Sequence, residues 1–242
     1  MYKKLFIAMS ILFIALQSSA QQFQTPSFTF SHKKTAYITL NDGTELKGIL
    51  KDLDRKKGII KALKFEDGEG KKHKLLASDV KYMYLPPSGL DKLSKSMDFI
   101  SDMKKWNDEK LDQDLLNKGL VYFEQANVKV KKKEMVLLVQ LLNPMFSKVV
   151  KVYHDPMAGE TTSVGVGPVK AGGIAKSYYV NVNNDKAAYK LSKKDYKKEF
   201  VPIWKSCSKV NEQYGEDVNW RDLAKHVLLY SECSEEPKKD LK

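Results

Sequence analysis

The 242-residue sequence predicts an α+β protein, on three observations. Residues 36 to 87 and 119 to 191 alternate apolar and polar side chains with a period of two, between clusters of turn formers. Residues 88 to 118 and 192 to 233 change to helical spacing. The two cysteines, Cys207 and Cys233, both fall in the last helical stretch. The expected architecture is a small β-barrel-like unit, a helical linker, an antiparallel β-meander and a disulfide-clasped helical C-terminus. A hydrophobic content of 42%, with 13 Gly and 8 Pro and no internal repeat, excludes disordered, collagen-like and solenoid classes.

The first element, residues 1 to 20, reads as a signal peptide. Lys3 and Lys4 give the positive start, Leu5 to Leu16 the apolar run, and Ser18, Ser19 and Ala20 the small residues before cleavage between Ala20 and Gln21. The run is shorter than the roughly 18 to 20 residues that span a bilayer, so no transmembrane anchor is expected in the mature chain. An exported location follows, periplasmic or associated with the envelope or the outside. Residues 21 to 35 carry no periodicity and read as a tail that becomes ordered near Ala36.

In the first β-unit, residues 36 to 41 and 44 to 53 flank Asn41-Asp42-Gly43, a tight-turn sequence, so they predict a hairpin. A strand follows over about 59 to 66, then a polar loop from Glu66 to Lys74, then a strand through Val80, Tyr82 and Tyr84 that Pro86-Pro87 ends. From Ser88, a capping residue, Leu90, Leu93, Met97 and Ile100 share one helical face to about Trp106. A second helical piece, about 108 to 117, stops before Gly119.

The meander needs strands near 120 to 130, 134 to 142, 147 to 154, 176 to 183 and 186 to 191, with Lys131-Lys132-Lys133 as a turn. Met135 to Leu142 is almost continuously apolar, which suits a strand buried on both faces. The Gly-rich stretch Gly159 to Gly173 reads as a long hairpin loop: Pro168 and a following strand are incompatible with a dinucleotide-binding turn. In the C-terminal unit Tyr196, Phe200, Ile203 and Trp204 recur helically, with an end or kink expected near Phe200 because of Pro202. Trp220, Leu223, Val227 and Tyr230 form a second helix that Asn219 can cap, and residues 234 to 242 form a frayed tail. An even count of cysteines in an exported chain predicts one disulfide, Cys207 to Cys233, each just beyond a helix.

No catalytic residue is designated, since Gly-x-Ser-x-Gly, His-Glu-x-x-His and Cys-x-x-Cys are all missing. His32, His73, His154 and His226 are scattered, so no metal and no cofactor is expected. Removing Lys3 and Lys4 takes the net charge from +12 to +10. Outside the cytoplasm that charge favours an anionic envelope polymer, lipid or protein over nucleic acid.

Residues Tyr37 to Leu50 are similar to the opening strands of Sm-like and SH3-like barrels, which implies that fold for residues 36 to 85. Asp54-Arg55-Lys56-Lys57-Gly58 lacks the Asn of the RNA-binding Sm pattern. Taken whole, the order of signal peptide, Asp-Gly hairpin unit, β-meander with a Gly-rich insertion before Ser177-Tyr178-Tyr179, Tyr196-Lys197-Lys198 and two-Cys helical end resembles a family of uncharacterised exported envelope proteins of Gram-negative bacteria. That resemblance implies an envelope location and no particular activity. The function expected is a noncatalytic binding or interaction module of the cell envelope. Two other classes stay open: a hydrolase whose site assembles only in three dimensions, and a self-assembling scaffold.

Overall fold

A computed structural model describes residues 23–88, 108–159, 164–166, 169–171 and 174–235. The signal segment with its cleavage point at Ala20 and Gln21, residues 89–107 of the expected linker helix and residues 236–242 lie outside the described residues. The protein is α+β, dominated by sheet. The strands are β1 (Thr35–Leu40), β2 (Glu45–Lys56), β3 (Ile59–Asp67), β4 (Lys72–Leu76), β5 (Val80–Leu85), β6 (Val121–Val130), β7 (Lys133–Gln140), β8 (Val150–His154), β9 (Val164–Val166), β10 (Val169–Ala171), β11 (Ser177–Val182) and β12 (Ala188–Ser192). The helices are α1 (Gln113–Asn117), α2 (Lys193–Trp204), α3 (Ser208–Tyr214) and α4 (Leu223–Glu235).

Among the described residues the two expected β-units share one ten-stranded sheet, in the order β4-β3-β2-β1-β5-β6-β12-β11-β8, with β7 also on β6. The path is not closed, because β4 and β8 are its ends. One pairing departs from the expected antiparallel meander: β12 runs parallel to β6 through Ala188↔Val128 and Tyr189↔Lys129. A further strand, β4, occupies part of what the sequence reads as the loop Glu66 to Lys74. Its Lys-His-Lys-Leu-Leu pairs with β3 from Lys72↔Glu66 to Leu76↔Ala62, and the turn is only Gly68 to Lys71, held by the Asp67 carboxylate accepting from Glu69 N and Lys71 N. Polar side chains hid the strand because its outward face is solvated.

Local chemistry explains the joints. Gly43 has φ of 89° in the β1–β2 turn, a conformation that favours glycine. Gly48 on β2 faces the backbone of Glu66 so closely that any Cβ would overlap the carbonyl oxygen. With bulges between Leu50 and Asp52 and between Asp54 and Arg55, β2 bends along its 12 residues. In α1 the Asp112 carboxylate caps Leu115 N at 3.0 Å, and Gly119 N and Leu120 N return to the carbonyls of Leu116 and Leu115. The helix is shorter than the expected 108 to 117, since residues 108–111 form a turn with Leu111 N on Asp108 O.

Alternation along β6 and β7 supplies two cores. Val121, Phe123 and Leu138 join Ile38, Leu50, Phe65 and Met83 in one; Tyr122, Ala126, Val128, Leu137 and Val139 join Val152, Tyr179, Leu191 and the C-terminal helices in the other. Burial on both faces is therefore observed from Leu137 onward, whereas Val136 is exposed.

The expected N-terminal tail is instead a strap over both cores. Phe23 stacks on Phe146 and meets Tyr178 edge-on, Gln24 N donates to Leu142 O, and Ser27 N donates to the buried Gln140 Oε1. Phe30 bridges Pro87 and packs edge-on against Phe123. Polar composition concealed this because the strap buries only Ser27 and Phe30, with Phe23 half-buried.

At the other end, α2 continues through Pro202 to Trp204 rather than stopping near Phe200. Pro202 lies in the last turn, and the bond it forfeits is to the carbonyl of Lys198, an exposed residue. Trp204 Nε1 donates to Tyr196 Oη, which keeps the final turn in the core. Asn219 caps a 3-10 turn, Trp220–Asp222, that leads directly into α4. The disulfide Cys207–Cys233 is formed, with Cα atoms 5.7 Å apart. Cys207 follows α2 as expected, but Cys233 lies inside α4, which extends to Glu235.

Candidate functional site

The described residues contain a solvent-open polar cleft of about 220 Å³ at the junction of the sheet's two halves. Its floor is β6. On one edge β6 pairs with β7 from Phe123 to Val130. On the opposite edge β5 pairs only up to Glu124 and β12 only from Val128, so Gln125, Ala126 and Asn127 lie in a gap between two strands. Lys151 and Tyr153 of β8, and Asn181, Asn184, Asp185 and Lys186 of the β11–β12 hairpin, complete the wall.

Glu124 is the electrostatic centre. Its Oε1 accepts from Lys151 Nζ at 2.9 Å and Tyr153 Oη at 2.6 Å, and its Oε2 accepts from Tyr122 Oη at 3.2 Å. Lys151 also reaches Asp108 at 3.5 Å. Burial, with the Glu124 charge beside them, pushes the Tyr122 and Tyr153 phenols far above their ordinary range, so both remain donors. Tyr84, pushed up to about 12 by burial, accepts from Asp112 N and so ties α1 to the site. The carboxylate has three donors and the ammonium two carboxylates. This is a neutralised, preorganised arrangement.

A second polar cluster is centred on the buried Asp155. Asp155 accepts from Lys190 Nζ at 2.6 Å, Ser177 Oγ at 2.7 Å and Met157 N at 3.0 Å. Burial pushes this carboxyl up, but the bonds from Lys190, Ser177 and Met157 outweigh it and hold it below the ordinary carboxylate range. With Lys176 N donating to Gly159 O at 2.7 Å, the cluster ties the two ends of the Gly-rich segment together. Within that segment β9 and β10 pair as a separate two-stranded sheet. The role of Asp155 and Ser177 is thus a stem clasp, since both are buried.

His154 and His226 are each lowered to about 4 by burial. Tyr196 Oη accepts from Trp204 Nε1 and is hydrogen-bonded to His226 Nδ1 at 2.6 Å, inside the helical core. His154 meets Phe28 edge-on and is not in the cleft. His73 pairs with Asp67 at the β3–β4 turn, and the His32 ring bonds Leu50 O. Among the described residues no three His, Cys, Asp or Glu side chains are grouped to hold a metal ion.

A basic exposed feature among the described residues is the tip of the β6–β7 hairpin. Lys131 has φ of 56°, and the turn presents Lys129, Lys131, Lys132 and Lys133, all exposed, with Glu134 the one acid beside them. Exposed Val136 lies on the same hairpin. The sequence marks Lys131-Lys132-Lys133 as a turn; the turn is Lys131 and Lys132, and Lys133 already pairs with Val130 at the start of β7. The sequence carries no sign of Glu124, Lys151 and Tyr153 converging, because they are 27 and 29 positions apart and meet only through sheet order. The one local signal was the shared parity of Lys151 and Tyr153 on β8.

No family model, curated protein or solved structure matches this chain. Among the described residues no helix is long and apolar enough to cross a membrane.

Proposed function

We propose that the protein is an exported, noncatalytic binding module of the bacterial cell envelope that docks on anionic lipid surfaces. The observation that carries this reading is the β6–β7 tip, where four exposed lysines fall within five residues next to exposed Val136, and none of the four is in an ion pair among the described residues. Lysines near an anionic bilayer contribute about 1 kcal/mol each, and an apolar neighbour adds interfacial burial. The neutralised Glu124 cleft favours binding over catalysis.

Export is supported by Lys3 and Lys4, the run Leu5 to Leu16, and the disulfide Cys207–Cys233, since disulfides persist in oxidising compartments. Membership of the exported envelope family belongs to the same proposal. The SH3-like reading of residues 36 to 85 is supported by the strand order β4-β3-β2-β1-β5. Co-sedimentation of the protein with vesicles containing anionic lipid, and with neutral vesicles, tests the docking. Binding confined to anionic vesicles and weakened by salt is expected. Equal binding to both, or to neither, overturns it.

A further inference from the structure

The cleft over β6 has a chemistry different from the basic tip. We infer that it is a subsite for one uncharged, hydroxyl-rich ring carrying an amide, that is, an N-acetylated hexosamine unit. Three features lead there. First, its charges balance: Glu124 is held by Lys151, Tyr122 and Tyr153, Lys151 is shared with Asp108, and Asp185 and Lys186 at the opening contribute one charge of each sign. A charged ligand meets both signs in this lining, whereas a neutral one needs no counter-charge.

Second, the lining is almost wholly polar, with Asn127, Asn181, Asn184, Asp185 and Lys186 around the opening. Asn181 Nδ2 is committed to Asp185 O at 2.8 Å, which fixes the hairpin wall, while Asn181 Oδ1 has no partner among the described residues. Asn and Asp side chains at fixed positions are suited to paired donor and acceptor contacts with vicinal hydroxyls. Third, the gap at Gln125 to Asn127 interrupts a strand edge between β5 and β12. An acetamide has one N–H and one C=O, like a peptide group, and is the ligand fragment that complements an unpaired stretch of strand edge.

Size agrees. A cavity of about 220 Å³ is below the roughly 300 to 1,000 Å³ of drug-sized pockets, so it takes one ring and not a chain of them. The subsite is independent of the lipid-docking tip.

Titration of the protein with N-acetylglucosamine and, separately, glucose, followed by protein NMR chemical shifts, tests the inference. Saturable shifts with N-acetylglucosamine are expected, with glucose at least about 10-fold weaker because it lacks the acetamide. Asn127→Leu should weaken N-acetylglucosamine at least about 10-fold, with an unchanged circular dichroism spectrum reporting that it folds. Lys132→Ser, at the tip, should leave sugar binding unchanged while weakening vesicle binding. Equal affinity for the two sugars, no saturable shift with either, or full binding by folded Asn127→Leu overturns the subsite. The sugar comparison uses the unaltered protein and so decides the matter even where the variant fails to fold.

Discussion

Glu124 shows how a single carboxylate can organise a surface through three donors. Lys151 and Glu124 side chains are only 18% and 16% exposed, so their pairing is less screened than at an open surface. Replacing Lys151 by Met should destabilise the protein by about 1 to 3 kcal/mol in urea unfolding, because Glu124 and Asp108 lose their shared cation. A midpoint unchanged from the parent would show that the pair contributes nothing. His154 and His226 make a second prediction. Both have folded values of about 4, below the ordinary histidine value of about 6.5, so the unfolded chain binds protons first as pH falls. Their stabilising contribution is complete above about pH 6.5 and is lost progressively towards pH 4, at about 3 kcal/mol for each. Asp155, also held low, adds a loss only below about pH 4. Thermal unfolding should therefore fall between pH 6.5 and 4, and His226→Phe should flatten that fall; a flat profile in the parent contradicts the assignment. Little of this was legible beforehand. Histidines scattered in sequence carry no record of burial, and two of the three partners of Glu124, Lys151 and Tyr153, come from β8, an element that reaches it only after the sheet is assembled.

The elements were easier to read where side-chain alternation and turn chemistry agree. Asn41-Asp42-Gly43 and Lys131-Lys132 mark hairpins that the structure contains, because the turn conformations are local properties. The strap of residues 23–31 and strand β4 were concealed, because each owes its place to a neighbour and not to its own pattern. Phe30, only 7% exposed against Phe123, tests the strap. Phe30→Ala should cost about 3 kcal/mol or more by denaturant unfolding, and a loss under about 0.5 kcal/mol would mean that the segment is not part of the core. The disulfide closes 26 residues and joins the end of α2 to α4. Substituting both Cys207 and Cys233 by Ser should cost about 3 to 4 kcal/mol on the chain-entropy account. Equal stability of the reduced and oxidised protein would contradict it.

At the scale of the whole molecule, the sequence shows two β-rich stretches and the structure joins them into one hydrogen-bonded sheet. The junction is β6, which pairs with β5, β7 and β12 and contributes to both cores. Local alternation cannot reveal which strands become neighbours, so neither the junction nor its cleft was readable. The net charge of +12 was readable, but not the joint exposure of Lys129, Lys131, Lys132 and Lys133 at the β6–β7 tip. The most direct measurement is vesicle affinity of the parent and of the Lys131→Ser, Lys132→Ser, Lys133→Ser triple variant across a salt series. At about 1 kcal/mol for each lysine, the variant should bind anionic vesicles about 100-fold more weakly at low salt, and the difference should shrink as salt rises. Identical affinity and identical salt dependence in the two proteins would contradict a docking role for the tip.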